Sequence, residues 1–386
     1  KTNTNTTGWK PVPLLRQFFC RVIQLLALGG FAIGVGRGVA GESADWRDKM
    51  ESIIPQGYVC RRTATPMGVD GNLDDAAWAD ATWTSDFVDI QGDAKPKPRF
   101  RTRTKMLWDD NYLYIAAEIQ EPHVWATLTN HDAVIFQDPD FEVFMDPRGE
   151  TQPYYEFEMN ALNTTWDLRL NKPYMDSGKP NNAWEISGAK TAVHVNGTLN
   201  HATDTDQGWT VEIAFPWNAI SKDARHAGPP NEGEQWRINF SRVEWQIVTD
   251  GGVEKKIPNT PEDNWVWSPQ GVIDMHRPEM WGLVQFTRQP AGEHISVAPI
   301  PGKAARDLAL EIYYTQRDFQ SEHERYATNL AELNLNLGAL PSGVEPSEIL
   351  PTADSYVSSV TFQDDARPRV WRIRQDRLLE LDAPLP

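Results

Sequence analysis

Between residues 138 and 170 apolar and polar side chains alternate with a period of two, the pattern of half-buried strands. Phe141, Val143 and Met145 fall on one face, and Glu142, Phe144 and Asp146 fall on the other. A turn at Asp146-Pro147-Arg148-Gly149 interrupts the alternation. It resumes with Tyr155, Phe157 and Met159 on one side and Tyr154, Glu156, Glu158 and Asn160 on the opposite side. A third run ends at Leu170 and points Trp166, Leu168 and Leu170 inward if the pleat continues. One face is therefore apolar. The other mixes carboxylates, an amide and aromatics, which makes it either a wetted sheet surface or the floor of a polar ligand site.

The same reading extends in both directions. Residues 103–108 and 112–119 are expected to form a hairpin about Asp109-Asp110-Asn111, a sequence suited to tight reversal. Leu113, Ile115, Ala117 and Ile119 give that hairpin one aliphatic face. Further strands are expected at 190–195, 209–215, 235–244 and 281–286. Short strands separated by Gly, Pro and Asn turns predict an all-β fold, an antiparallel β-sandwich rather than a parallel α/β sheet. Beyond a Pro-containing linker at 289–303 the period becomes helical. Ile312, Phe319, Tyr326 and Leu333 recur at every seventh position, which predicts one amphipathic helix or two shorter ones. Residues 370–381 are expected to close the chain as a strand, so 304–386 reads as a small helical tail with a closing strand.

The first forty residues read differently. Lys10, Arg16 and Arg21 precede an apolar run at 22–35, and Gly38-Val39-Ala40 offers small residues for cleavage. That is the layout of a secretory signal peptide over 1–40, with an uncleaved membrane anchor as the other reading. A leader at 41–63 and a sandwich at 64–288 follow, in a chain expected to be secreted, periplasmic or at the cell surface. The net charge of -17 argues against nucleic acid and anionic membrane surfaces as partners and is compatible with neutral ligands and divalent cations. Trp, at 16, outnumbers Phe at 14 and Tyr at 10. Such an excess either fills a β-rich core or supplies flat platforms for sugar rings. Cys20 lies in the segment expected to be removed, which leaves Cys60 alone and excludes a disulfide framework or a thiolate zinc site.

An ordered set of motifs runs along the chain. It comprises VDGNLDDAAW at 69–78, LWDDNYLYIAAEI at 107–119, DFEVFMDP at 140–147, YYEFEMNALNTTWDL at 154–168, GWTVEIAFPW at 208–217, WRINFSRVEW at 236–245 and NWVWSPQGVIDMHRPEMWGLVQF at 264–286. The set resembles the family 9 carbohydrate-binding modules over residues 64–288. The resemblance implies a jelly-roll-like sandwich with structural calcium, found in secreted systems that degrade plant polysaccharides, often beside xylanase domains. It also implies that the terminal unit of a glycan is held between two tryptophans. The first of those positions falls near Phe136 and the second on Met275. The glutamate of the family's site falls on Glu142, and its sugar-binding arginine falls on Glu158. Trp166, Trp184, Trp245 and Trp267 are surplus tryptophans that offer other platforms.

Sugar recognition needs a flat apolar face for ring C–H groups and planar carboxylates or amides for hydroxyl pairs. The expected ligand-binding residues are accordingly Phe136, Glu142, Glu156, Glu158, Asn160, Trp184 and Met275. The expected calcium ligands are Asp138, Asp140 and Asp146, which flank the central strand with the carboxylate chemistry that calcium prefers. His123, His131, His276 and Glu279 lack a two-His helical metal spacing and read as surface or hydrogen-bonding groups. The leading function is non-catalytic binding of a plant-type β-glycan, such as xylan or cello-oligosaccharides or their ends. Two alternatives stay open: a glycoside hydrolase using Glu142 and a neighbouring carboxylate, and a structural or interaction sandwich that has lost the sugar pocket.

Overall fold

In the computed structural model the described residues are 53–382, except 66, 336, 348, 365 and 366. The expected signal peptide, and most of the leader, lie outside them. All described residues belong to one compact unit. Its strands are β1 (Gly57–Arg62), β2 (Val88–Asp89), β3 (Thr102–Trp108), β4 (Tyr112–Gln120), β5 (Asp140–Asp146), β6 (Tyr154–Asn160), β7 (Thr165–Leu170), β8 (Pro180–Asn181), β9 (Lys190–Asn196), β10 (Gly208–Pro216), β11 (Gln235–Glu244), β12 (Ile247–Asp250), β13 (Val253–Lys256), β14 (Asp263–Val266) and β15 (Gly282–Thr287). Thirteen of them form one sheet in the order β8-β7-β6-β5-β11-β15-β1-β3-β4-β10-β9, with β14 and β2 paired beside β11. The sheet curls on itself, so its two halves enclose a single core. Phe157 of β6 meets Phe215 of β10 edge-on at 5.0 Å, although these strands stand at opposite ends of the order. The expected all-β sandwich is thus the observed architecture.

Alternation decides which side chains enter that core. Phe141, Val143 and Met145 of β5 join Tyr155, Phe157 and Met159 of β6 there, facing Leu113, Ile115, Ala117 and Ile119 of β4. The hairpin β3–β4 turns where expected, because the Asp109 carboxylate accepts the N–H groups of Asn111 and Tyr112, both at 2.7 Å. Trp108, Trp217, Trp236 and Phe286 interlock edge-to-face at the core's centre. Most of the tryptophan excess is therefore core filler, Trp267 included. The opening VDGNLDDAAW motif has a structural role as well. Trp78 Nε1 donates to Glu212 at 2.7 Å, and the same carboxylate accepts the N–H groups of Asp70 and Gly71.

Three expectations are corrected. The leader is not all outside the fold: β1 lies parallel between β15 and β3, with Tyr58 and Cys60 buried. Two inward residues are too short a pattern to read as a strand. Trp166, Leu168 and Leu170 do not share the face of Phe141 and Tyr155. β7 pairs Trp166 with Glu158 and Leu168 with Glu156, so this run lies on the carboxylate side. The tail is less helical than expected. A short helix α1 (Trp217–Ile220) follows β10, and α2 (Lys303–His323) carries Ile312 and Phe319. Past α2 the chain builds β16 (Glu345–Pro346), β17 (Leu350–Pro351), β18 (Tyr356–Gln363), β19 (Pro368–Arg374) and β20 (Leu379–Leu381), a second sheet of five strands. Their turns are rich in Gly and Pro, which hid the strands.

The tail is fused to the sandwich through buried charge. Arg377 is fully buried, with Nη1 at 3.1 Å from Glu279 and Nη2 at 3.1 Å from Asp176. The hydroxyls of Tyr313 and Tyr314 on α2 donate to those same two carboxylates. Backbone bonds support the joint, since Thr151 Oγ1 donates to the Arg377 carbonyl at 2.7 Å and Leu379 N–H donates to Glu150 O at 3.2 Å. Removing one member of a buried ion pair strands the other without solvent. Arg377→Ala is therefore expected to lower the unfolding free energy by about 3–5 kcal/mol. Arg62→Ala, which breaks the solvent-facing pair with Asp110, is expected to cost less than about 1 kcal/mol. Urea denaturation of both variants checks the contrast.

Candidate functional site

The site lies on the outer face of the β5–β6–β7 ribbon. β5 pairs with β6 so that Glu142 stands directly opposite Glu158 and Phe144 opposite Glu156. Same-face neighbours in a strand are two residues apart, so Asp140 projects beside Glu142. On the other flank of β5, Ser241 of β11 is opposite Glu142. Register therefore gathers Asp140, Glu142, Glu156 and Glu158 on one floor, and all four are buried. The rim is apolar. Phe136 and Met275 both pack against the cluster of Phe144, Tyr154, Trp166, Leu168, Leu170 and Trp281. Trp245 anchors the first side by donating Nε1–H to the Phe136 carbonyl at 3.0 Å. Trp281 anchors the second by donating to the Met275 carbonyl at 2.9 Å.

Burial sets the protonation of this floor. It pushes Glu142 up to about 7, against the polar neighbours Ser241 and Asp140, which favour the ionised form. It pushes Glu156 up to about 8, with the Glu142 charge adding to the effect. Asp140 and Glu158 are also raised well above the ordinary carboxylate range, first by burial and then by Glu142. Two of these groups keep one tie each to the backbone: Val243 N–H donates to Asp140 Oδ1 at 3.0 Å and Phe136 N–H donates to Glu158 Oε2 at 3.0 Å.

The structure brings together Phe136, Glu142, Glu156, Glu158 and Met275 as expected, and removes others. Asn160 is consumed by the fold. Its amide donates to Leu128 O and Asp138, and its oxygen accepts from Leu162 and Thr164 N–H. Trp184 stacks on Tyr155 at 4.5 Å, on the core side of β6 and away from the carboxylate floor. The expected calcium trio does not gather as one group. Asp138 accepts from Thr127 N–H, Thr127 Oγ1 and Leu128 N–H, and Asp146 accepts the N–H groups of Arg148, Gly149 and Thr151. Only Asp140 of the three joins the floor. Of the residues read as surface or hydrogen-bonding groups, His276 and Glu279 are of the second kind: His276 pairs with the Tyr154 hydroxyl at 2.8 Å, and Glu279 holds Arg377.

Sequence reasoning passed over two residues. Tyr174 is 39% exposed, with its ring 4.5 Å from that of His276. Its hydroxyl lies close enough to Glu156 and Glu158 for their charges to raise its pKa, after burial. Lys256 sits on the β12–β13 hairpin, with its ammonium 3.4 Å from the centre of the Trp245 ring. Tyr174 follows a Pro in a loop and Lys256 sits in a two-stranded ribbon, and neither carries a periodic signal.

Residues 69–257 match the family described as carbohydrate family 9 binding domain-like. Over that stretch the chain is similar to that family. It is 26% identical over 159 residues to an exoglucanase, XynX, of Acetivibrio thermocellus, a match covering 41% of this chain and 12% of that protein. It is 27% identical over 117 residues to endo-1,4-beta-xylanase A of Thermoanaerobacterium saccharolyticum, covering 30% of this chain and 8% of that protein. The chain thus spans about a tenth of the length of these curated relatives. Among solved structures, a family 9 module from Caldicellulosiruptor kristjanssonii in complex with cellotriose aligns with a TM-score of 0.40 at 15% identity, covering 63% of this chain and all of that one. A carbohydrate-binding protein described as putative, from Bacteroides uniformis, aligns with a TM-score of 0.45 at 14% identity, covering 60% of this chain and all of that one.

The raised carboxyls make stability depend on pH. Below pH ~4.5 the folded and unfolded chains are both protonated at Glu156. Between that value and about 8 the unfolded chain ionises while the folded one keeps its proton, so stability falls as pH rises. Glu156→Gln is expected to leave stability at pH 4.5 nearly unchanged and to raise it at pH 9 by on the order of 1–3 kcal/mol. Urea midpoints across that range, in buffer free of divalent cations, provide the measurement. A variant as pH-sensitive as the parent would contradict the assignment.

Proposed function

We propose that this chain is a non-catalytic carbohydrate-binding protein for plant-type β-glycans, xylan or cello-oligosaccharides or their ends, acting outside the cell in polysaccharide breakdown. One observation carries the reading: a floor of carboxylates on one face of a family 9-like sandwich, with Phe136 and Met275 packed against the apolar cluster beside it. Glycan hydroxyls both donate and accept, and carboxyl groups accept when ionised and can also donate when protonated. Aromatic rings accept the apolar C–H side of a sugar, and Phe136 and the half-exposed Tyr174 supply such rings at the rim. The names of the curated relatives agree with a setting in polysaccharide degradation. Among the described residues no helix is long and apolar enough to cross a membrane.

Calorimetric titration of the full chain with cello- and xylo-oligosaccharides tests the reading. Binding is expected in the micromolar to millimolar range, about −8 to −4 kcal/mol. Phe136→Ala is expected to weaken it at least tenfold, about 1.4 kcal/mol, while Trp184→Ala leaves it unchanged. No heat at millimolar ligand, or equal affinity in Phe136→Ala, would sink the proposal. Release of reducing sugar that disappears in Glu142→Gln would assign hydrolysis instead.

A further inference from the structure

Four carboxylates facing one another in a dry site need positive charge or protons, because each buried anion costs several kcal/mol unless it is paired. Among the described residues, no Lys, Arg or His forms an ion pair with Asp140, Glu142, Glu156 or Glu158. The Lys256 ammonium feels the charge of Asp138, Glu262 and Asp140, but it is engaged over Trp245.

The geometry points to a divalent-cation site formed by Asp140, Glu142 and Glu158. One carboxylate oxygen from each of the three lies within 4.8 Å of the others. A hard cation with bonds of about 2.3–2.6 Å spans up to about 5 Å between opposite ligand atoms, so three such oxygens can share one ion. A second observation is independent of this clustering. Asp140 Oδ2 is buried and has no hydrogen-bond partner, because Val243 N–H engages the other oxygen. Glu156 Oε2, on the same face, is likewise buried without a partner. Unmet acceptors in a site rich in negative charge are what a cation satisfies. The donor set is oxygen only, which favours calcium, magnesium or manganese over metals that seek nitrogen or sulfur. The three ligands stand on paired strands rather than on a loop, so their spacing is held by the sheet.

The site stands on the carboxylate geometry alone and is tested with the metal alone. The full chain is stripped with chelator and titrated calorimetrically with calcium chloride, then with manganese chloride. One site is expected, with a Kd of roughly 1 μM to 1 mM. Asp140→Asn and Glu158→Gln are each expected to weaken binding at least tenfold. Both remove a buried repelling charge, so near-ultraviolet dichroism is expected to show them folded; if one fails to fold, the other decides. His131→Ala serves as the control. His131, Asp132, Asp167 and Glu185 form a separate, mostly exposed cluster whose ligand atoms are also within 4.8 Å of one another. No binding to the parent chain at 10 mM cation overturns the inference. So does binding that is lost in His131→Ala and kept in Asp140→Asn. Glycan titration with and without the cation separates the two readings: glycan binding with no cation bound removes this inference alone, and cation binding with no glycan bound removes only the proposed function.

Discussion

The pairing of β5 with β6 is the interaction on which the rest depends. Because the side-chain period of a strand is two, a slip of one residue would send Phe141, Val143 and Met145 out of the core and the carboxylates into it. The apolar set is buried against β4 and β10, so that slip would expose core surface and place anions in it. The register that saves the core simultaneously sets Glu142 against Glu158. The carboxylate floor is thus a consequence of the same pairing that makes the sandwich.

That floor is then walled by apolar side chains that leave it little water. β7 brings Trp166 and Leu168 beside the acids, and Trp281 packs against Phe144 and Tyr154. Burial therefore becomes the main force on these carboxyls and raises all four. A second concentration of buried charge, around Arg377, has the opposite character. There Glu279 meets a guanidinium and a tyrosine hydroxyl, and its pKa is lowered despite burial. One cluster holds its partners within the protein and works as a joint between sandwich and tail. The other gathers four carboxylates with no Lys, Arg or His paired to them among the described residues.

Much of the sheet was legible along the chain. The runs from β3 to β6, and β10, β11 and β15, alternate long enough for their period to stand out. β1 and the tail strands β16 to β18 were not legible, since their few inward residues take meaning only from neighbours far away in sequence, whereas the closing run at 370–381 was read as one strand and forms β19 and β20. The site was half legible. Phe136, Glu142, Glu156, Glu158 and Met275 converge as expected, whereas Asn160, Trp184, Asp138 and Asp146 have the right chemistry and the wrong surroundings. Their polar atoms or rings are already taken by neighbouring backbone or by Tyr155.

By itself the sequence determined the class of fold, the faces of the central strands and the family resemblance, because periodicity and motif order are properties of the chain as a line. Tertiary structure alone decided which acids share a site, which tryptophans are core, and that the tail is part of the same body. Those outcomes depend on distances between strands remote in sequence, on who fills each hydrogen bond, and on how much water each carboxylate retains.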